Sequence, residues 1–346
     1  MIEPSSRLAI IQPLPGIGDM VWHLPHIRAI AGAAGHAITL VAKPRSAADQ
    51  IFAAEDTIAD IVWMDRNPDR RRGKHDGAPG LLRLVASLRS RRFDTVVILH
   101  HSRTLAFAAM AAGIPRRHGY GYRWQRPFLN RPPYLSQPTL ALHPYQQATV
   151  YLREAGIVVP DPEPHLPIAN AARALVATKL AGWVPPMAAI GIGTSEPYKQ
   201  WGAERFAALI RSLLDAGWPT LVLVGGPAEA SLAEAIVARV PGDRLRIVQA
   251  LGWTLAEIAA VFAEADFYVG NDTGVMNIAA AVGVRTYALF GATPPFDHAS
   301  AIVPIMPPDG RIDKADGMAR IDLGAVLAAI TADRGTLGPI GCARPA

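Results

Sequence analysis

Cysteine is almost absent from this 346-residue chain, which has one, Cys342. A single cysteine excludes an internal disulfide and a cysteine metal cluster, and it fits a reducing, cytoplasmic compartment. Long apolar runs are missing too: no stretch reaches the roughly 18 residues a membrane-spanning helix needs. The opening MIEPSSRLAIIQPLPG has no basic segment followed by an apolar core, so no standard export signal is expected there. Charge is sparse at 18%, while half of the residues are hydrophobic, which argues against disorder and for cores large enough for two ordinary domains. Helix-turn-helix, finger and RNP patterns are all lacking, which argues against a nucleic-acid partner. No Asp-x-Asp pair of the kind that holds a metal beside a diphosphate is present.

What charge there is divides unevenly. Residues 1–160 hold 20 Lys and Arg against 11 Asp and Glu, whereas residues 161–346 hold 14 against 18. The basic part favours an anionic partner, such as a phosphorylated glycolipid at a membrane surface. Its clusters include Arg70-Arg71-Arg72, Arg116-Arg117, and Arg123 with Arg126. An ordinary exposed surface accounts for any one of them.

The most informative stretch is ADFYVGNDTGVMNIAAAVGVRTYALFG, residues 265–291. An apolar run stops at Gly270-Asn271-Asp272-Thr273-Gly274, helical spacing follows through Val275, Ile278, Ala279 and Val282, and a second apolar run follows Gly283. Strand, tight loop, helix and strand predict a parallel sheet covered on both faces, and such sheets bind ligands beyond the carboxyl ends of their strands. Free N–H groups of a helix beginning near Thr273 and Gly274 suit a diphosphate. Asp272 is unfavourable beside phosphate unless it reads hydroxyls, handles a proton or caps the helix, so the ligand reading and the structural one both stand.

The same pattern opens the chain. A strand over 7–14 leads into Pro15-Gly16-Ile17-Gly18-Asp19 and an amphipathic stretch to about Ala34. A dinucleotide fingerprint would end in glycine, but Val21 stands there. Asp19 is therefore a candidate general base, or else the N-cap of its helix. Alternation continues with strands near 37–42, 61–64 and 95–100 and helices near 80–91 and 102–112; the breaker-rich segment 66–79 is expected to be a mobile loop. His100 and His101 end a strand and make a poor metal site without a third ligand. Tyr120, Tyr122 and Trp124 suit an acceptor surface or a half-buried edge strand. A helix over 143–156 precedes 157–167, whose four prolines make it the linker candidate. Beyond it, strand 188–192 leads into Gly193-Thr194-Ser195-Glu196-Pro197-Tyr198-Lys199, where two hydroxyls and an ammonium could hold phosphate oxygens. Helices over 203–216, 228–239 and 254–264 alternate with strands over 220–224 and 245–249. Two α/β units imply a cleft between them, with boundaries at 1–160 and 161–331 and a flexible tail over 332–346.

Three blocks, PGIGDMVWHLPHIRAI at 15–30, GIGTSEPYKQWGAERFAALI at 191–210 and VGNDTGVMNIAAAVGVRTYALFGATPP at 269–295, make the chain resemble the ADP-heptose:lipopolysaccharide heptosyltransferases of glycosyltransferase family nine. The resemblance implies the GT-B fold, two facing Rossmann-like domains, and an inverting, metal-independent transfer without a cofactor from a nucleotide-diphospho-sugar, ADP-heptose above all. The acceptor it implies is the lipopolysaccharide core or another anionic glycan, with peripheral contact at the inner face of the plasma membrane. By the same resemblance Asp19 is the base. Thr194, Ser195 and Lys199 contact the donor diphosphate, and Asp272, Thr273 and Gly274 contact donor sugar and phosphate. Glu229 is the candidate for the nucleoside ribose, and Trp253 lies beside the base. Gly18, Arg116, Arg117, Arg123 and Arg126 are the acceptor candidates. One position departs: the family usually has D-T-G-x-x-H, and here the sixth residue is Asn277, which hydrogen-bonds but carries no proton charge near neutral pH. Rival readings are a nucleotide-sugar epimerase of the same architecture and a non-catalytic binding relative.

Overall fold

A computed structural model describes residues 7–68, 71–194, 196–240, 242, 246–295 and 299–337. Contacts within the chain divide it into two units, Met1–His165 and Leu166–Ala346.

In the first unit the strands are β1 (Leu8–Gln12), β2 (Ile38–Ala42), β3 (Ile58–Trp63), β4 (Thr95–Ile98) and β5 (Arg116–Gly119). They form one parallel sheet in the order β3-β2-β1-β4-β5. The helices are α1 (Ile17–Ala34), α2 (Ala48–Ile51), α3 (Gly77–Ser90), α4 (Arg103–Ala111) and α5 (Pro144–Glu154). Every residue of β1 is buried, as expected of a central strand covered on both faces. Helix α1 is not amphipathic as its pattern suggested: Met20 through Ile27 are all buried. Helix α5 crosses it, with the Tyr145 ring edge-on to Trp22 and to His26, so the face that would have met solvent meets a helix instead. The described residues of segment 66–79 contain no strand, and hydrogen bonds cross-brace their backbone. The Asp76 carboxylate accepts the Asn67 and Gly73 N–H groups, Asp65 accepts that of Lys74, and His75 Nδ1 accepts that of Asp65.

The second unit opens with α6 (Asn170–Lys179), a helix whose sequence stood out too little to be foreseen. It continues with β6 (Met187–Gly191), α7 (Ala203–Asp215), β7 (Thr220–Gly225), α8 (Ala230–Ala238), β8 (Ile247–Leu251), α9 (Leu255–Glu264) and β9 (Phe267–Asn271). Helix α10 (Gly274–Val282), β10 (Arg285–Leu289), β11 (Ile302–Ile305), α11 (Gly317–Arg320) and α12 (Leu323–Leu337) complete it. Its parallel sheet has the order β11-β10-β9-β6-β7-β8. Trp201, Phe206, Phe267 and Tyr287 fill the core on one side of the sheet, each such ring contributing about 1.5–3 kcal/mol by leaving water. Of the tail expected over 332–346, residues 332–337 belong to a helix and the rest lies outside the described residues. Helix α12 continues to Leu337, because Val326 and Ile330 pack into that core and Asp333 pairs with Arg285 at 2.6 Å. Cys342 lies outside the described residues.

Candidate active site

In an open parallel sheet the ligand crevice forms where the strand order reverses. In the first unit that switch lies between β1 and β4, in the second between β9 and β6. The loops leaving those four strands carry Asp19, His100, Asp272 and Lys199.

In the first unit α1 begins at Ile17 with Gly16 as its cap, so Asp19 is the third helical residue rather than the N-cap. Its carboxylate reaches back to the Gly16 N–H, and a Cβ at position 16 would come within 2.6 Å of Asp19 Oδ2. Glycine therefore lets the carboxylate fold over the helix start. Burial raises the Asp19 carboxyl above its ordinary value, with His143 and the Gly16 N–H opposing. A buried carboxylate kept from full stabilisation is a stronger proton acceptor. His143 caps α5 through a reciprocal box with Gln146, and burial lowers its pKa against the pull of Asp19. His23 Nδ1 lies 2.6 Å from the Asp19 carbonyl oxygen and 2.9 Å from Gln12 Nε2, and burial brings its pKa down to about 4. From the adjacent strand, His100 stacks on His101 with ring centroids 4.2 Å apart, and burial, then the charges of His101, Lys43 and His23, lowers it to about 4. His23, Lys43 and His143 were not foreseen. The i, i+4 spacing on one helix carries His23 and the H-P-x-Q spacing marks His143 as a cap, but no spacing signals the approach of Lys43 to His100.

The basic candidates separate. Register pairs Arg116 with Thr95 and Thr95 with Leu8, which sets Arg116 and Arg117 at the amino edge of the sheet, opposite the Asp19 loop. Arg116 Nε donates to Thr95 Oγ1 at 2.9 Å, while Arg117 donates to the carbonyls of Phe128 and Ile114. Both side chains brace the edge strand. Arg123 and Arg126 are exposed on a 3-10 segment, Arg123–Phe128, that Gln125 ties to the His100 carbonyl at 2.7 Å, on the carboxyl edge. Gly18 lies in the first turn of α1, next to Asp19. Strand β5 stops at Gly119; Tyr120 and Tyr122 are buried and Trp124 is exposed.

In the second unit Gly191 and Gly270 stand side by side across β6 and β9. A Cβ at Gly191 would fall 1.8 Å from the Tyr268 hydroxyl, and one at Gly270 would fall 2.5 Å from the Gly191 carbonyl. A side chain at either position would force a neighbour to move, so glycine lets the two strands lie close at the switch point. Lys199 Nζ lies 2.8 Å from Asp272 Oδ2 and 3.2 Å from Glu196 Oε2. Burial alone would lower the lysine pKa; the two carboxylates outweigh it and the net shift is upward, so the ammonium stays charged. Thr293 Oγ donates to the same Asp272 Oδ2 at 2.6 Å. Asn271 Nδ2 donates to the Ile192 and Gly193 carbonyls, fastening the β6 loop to the β9 loop.

Thr273 caps α10, accepting the Met276 N–H, and Gly274 is the first helical residue. Asn277, 5% exposed, donates from Nδ2 to the Thr273 carbonyl at 2.9 Å, while its Oδ1 has no hydrogen-bond partner among the described residues. Thr194 Oγ1 binds the Glu196 backbone, which shapes the loop. Ser195 lies outside the described residues. Glu229 accepts the Gly226 N–H at 2.7 Å, and a Cβ at Gly193 would touch its carboxylate at 3.4 Å, so it borders the same loop. Trp253 sits in the turn after β8 with Lys179 Nζ 4.3 Å over its ring. Glu196 and Thr293 went unassigned in the sequence, although Thr293 falls inside the third block.

Comparison with known proteins bears on this arrangement. The profile described as Glycosyltransferase family 9 (heptosyltransferase) matches residues 81–305. The lipopolysaccharide heptosyltransferase 2 of Escherichia coli (strain K12) is 25% identical over 250 residues, 68% of this chain and 71% of that protein. Among solved structures, a glycosyl transferase family 9 protein from Veillonella parvula DSM 2008 superposes with a TM-score of 0.79 at 21% identity, covering 96% of this chain and 98% of its own. The E. coli heptosyltransferase WaaC with ADP-2-deoxy-2-fluoro heptose does so with a TM-score of 0.71 at 19% identity, covering 95% and 100%. The two parallel-sheet units are those of the GT-B glycosyltransferases. With a profile match across most of its length and loops built at both switch points, the chain belongs to glycosyltransferase family 9, the heptosyltransferase family.

Proposed function

We propose that the protein is an inverting, metal-independent transferase that moves a heptose from ADP-heptose to the lipopolysaccharide core or another anionic glycan. The observation that carries the donor half is the Lys199 ammonium, fixed at 2.8 Å by Asp272 beside the N-terminus of α10. Two sources of positive potential converge there, an ammonium shared between the carboxylates of Asp272 and Glu196 and the end of a helix dipole, and a diphosphate is a ligand that uses both. Thr194 and Ser195 supply further donors to the phosphates, Glu229 accepts from the ribose, and Trp253 flanks the nucleoside base. The unpartnered Asn277 Oδ1 accepts from a hydroxyl of the donor sugar, where the family usually offers histidine.

Asp19 takes the proton of the acceptor hydroxyl as that oxygen bonds to the anomeric carbon. The bond from that carbon to the diphosphate breaks with its electron pair going to the nucleoside diphosphate, which Lys199 and α10 stabilise. Gly18 lets the acceptor approach the Asp19 loop, and Arg123 and Arg126 face its anionic groups. A general base is worth about 10²–10⁴ in rate, and the raised pKa of Asp19 suits the task.

Thermal shifts with ADP, UDP, GDP and their sugars test the donor, since a ligand bound only by the folded state raises its melting temperature. ADP and ADP-heptose are expected to give the largest shifts. A larger shift with UDP- or GDP-sugars would replace the donor assignment.

A further inference from the structure

The two carboxylates on Lys199 are held very differently. Asp272 lies 2.8 Å from the ammonium with 8% of its side chain exposed, and Thr293 binds the same carboxylate oxygen at 2.6 Å. Glu196 lies at 3.2 Å with 44% of its side chain exposed. It also has other company. The Tyr198 hydroxyl donates to the Glu196 carboxyl and, with Lys199 and Lys314, holds it below its ordinary value against burial. Lys314 arrives from a separate loop, which the Asp313 N–H fastens to the Gly291 carbonyl at 2.9 Å, and its ammonium stands 5.0 Å from the centre of the Tyr198 ring.

One ammonium between two carboxylates leaves a net negative charge, which opposes an incoming diphosphate. Lys199 can serve that ligand only if one carboxylate gives way. Displacing Asp272 would strand a sheltered, doubly held carboxylate without its cation, which is costly. Displacing Glu196 costs little, because a partly exposed ion pair contributes little and because Tyr198 and Lys314 stand ready to keep the charge. A phosphate oxygen accepts the same N–H hydrogens that the carboxylate oxygen gives up. We infer that Glu196 is an exchangeable partner of Lys199: the donor's diphosphate takes its place on the ammonium, and Tyr198 with Lys314 holds the displaced carboxylate. The inference rests on the donor site proposed above and adds to it an internal competitor. Such a competitor weakens the hold on the nucleoside diphosphate left after transfer and so favours its release.

The test is calorimetry of ADP on the full-length protein and four variants. Glu196→Gln keeps the size of the side chain and an oxygen for Tyr198 but removes the competing charge, so ADP should bind about two- to fivefold more tightly, the value of a partly exposed ion pair. Lys314→Ala should weaken ADP binding about twofold or more in the parent, since the displaced carboxylate loses its second cation. In the Glu196→Gln background the same change at Lys314 should have no effect. ADP bound by Glu196→Gln no more tightly than by the parent overturns the inference. An equal loss from Lys314→Ala in both backgrounds also overturns it, because Lys314 would then bind the diphosphate itself. Lys199→Ala separates this inference from the donor site beneath it. If ADP binds that variant as well as the parent, the donor assignment falls and the inference with it; if ADP binds it more weakly while Glu196→Gln changes nothing, the inference alone falls.

Discussion

Lys199 and Asp272, 73 residues apart in the sequence, meet at 2.8 Å because β6 and β9 are neighbours in the sheet. Both side chains are largely sheltered, with 16% and 8% of their side-chain surface exposed, so the contact is more than a surface ion pair. Asp272 orients the ammonium, and Thr293 orients Asp272. A preset cation loses little freedom when a diphosphate arrives, which is the benefit of preorganisation.

Removing that cation should weaken the donor selectively. Lys199→Ala deletes a charge-assisted contact worth about 1.5–3 kcal/mol, so the Kd for ADP measured by calorimetry should rise roughly ten- to hundredfold. An unchanged Kd would remove Lys199 from the diphosphate site.

Asp19→Asn separates base from cap. The amide can still accept the Gly16 N–H, yet it cannot take a proton, so the transfer rate should fall about 10²–10⁴-fold with donor affinity unchanged. Stability should move the other way. Because burial raises the folded-state pKa of Asp19, the folded protein binds that proton more tightly than the unfolded chain. Stability therefore declines as pH climbs from the ordinary carboxyl value through the raised one. At neutral pH the neutral amide avoids that penalty, and Tm should rise. A variant that loses stability and keeps its rate would make Asp19 structural.

The acid limb of the pH–rate profile should report the same group. Activity should disappear as pH falls through the raised pKa of Asp19, and His143→Ala, which deletes the charge that lowers this pKa, should move the limb to higher pH. A limb that stays in place would show that His143 does not act on the base.

Asn277→Ala should discriminate sugar from nucleotide. Losing one neutral hydrogen bond costs about 0.5–1.5 kcal/mol, so affinity for ADP-heptose should drop about two- to tenfold while affinity for ADP holds. Equal losses for both ligands would assign Asn277 to the helix start instead, through its bond to the Thr273 carbonyl.

Gly191→Ala should destabilise the second unit, because the new methyl would sit 1.8 Å from the Tyr268 hydroxyl and 2.5 Å from its ring carbon. Overpacking of this kind costs typically about 1–3 kcal/mol. Adding Tyr268→Phe should recover only part of the lost Tm, since the ring carbon remains. Full recovery would mean the ring moves freely.

Much of this protein was legible in the sequence because local physics writes it there. Continuous apolar runs ending in glycine loops marked β1, β6 and β9, helical spacing marked α10, and the Asp272-Thr273-Gly274 turn was read as a helix start, which it is. These signals depend on residues a few positions apart. Strand order does not: which loops share a switch point depends on pairings across the whole unit, and those pairings brought Lys43 toward His100, and Thr293 to Asp272, while the packing of α5 on α1 brought His143 toward Asp19. Arg116-Arg117 and Arg123 with Arg126 looked alike as basic clusters. Only the register of β5 separated them, sending one pair to the amino edge as braces and leaving the other exposed at the carboxyl edge. Helix α1 was misread for the same reason, since a pattern of polar residues cannot tell solvent from a crossing helix that offers Thr149 to His26 at 2.8 Å. Periodicity reports which side chains avoid water, and long-range packing decides which of the others end up together.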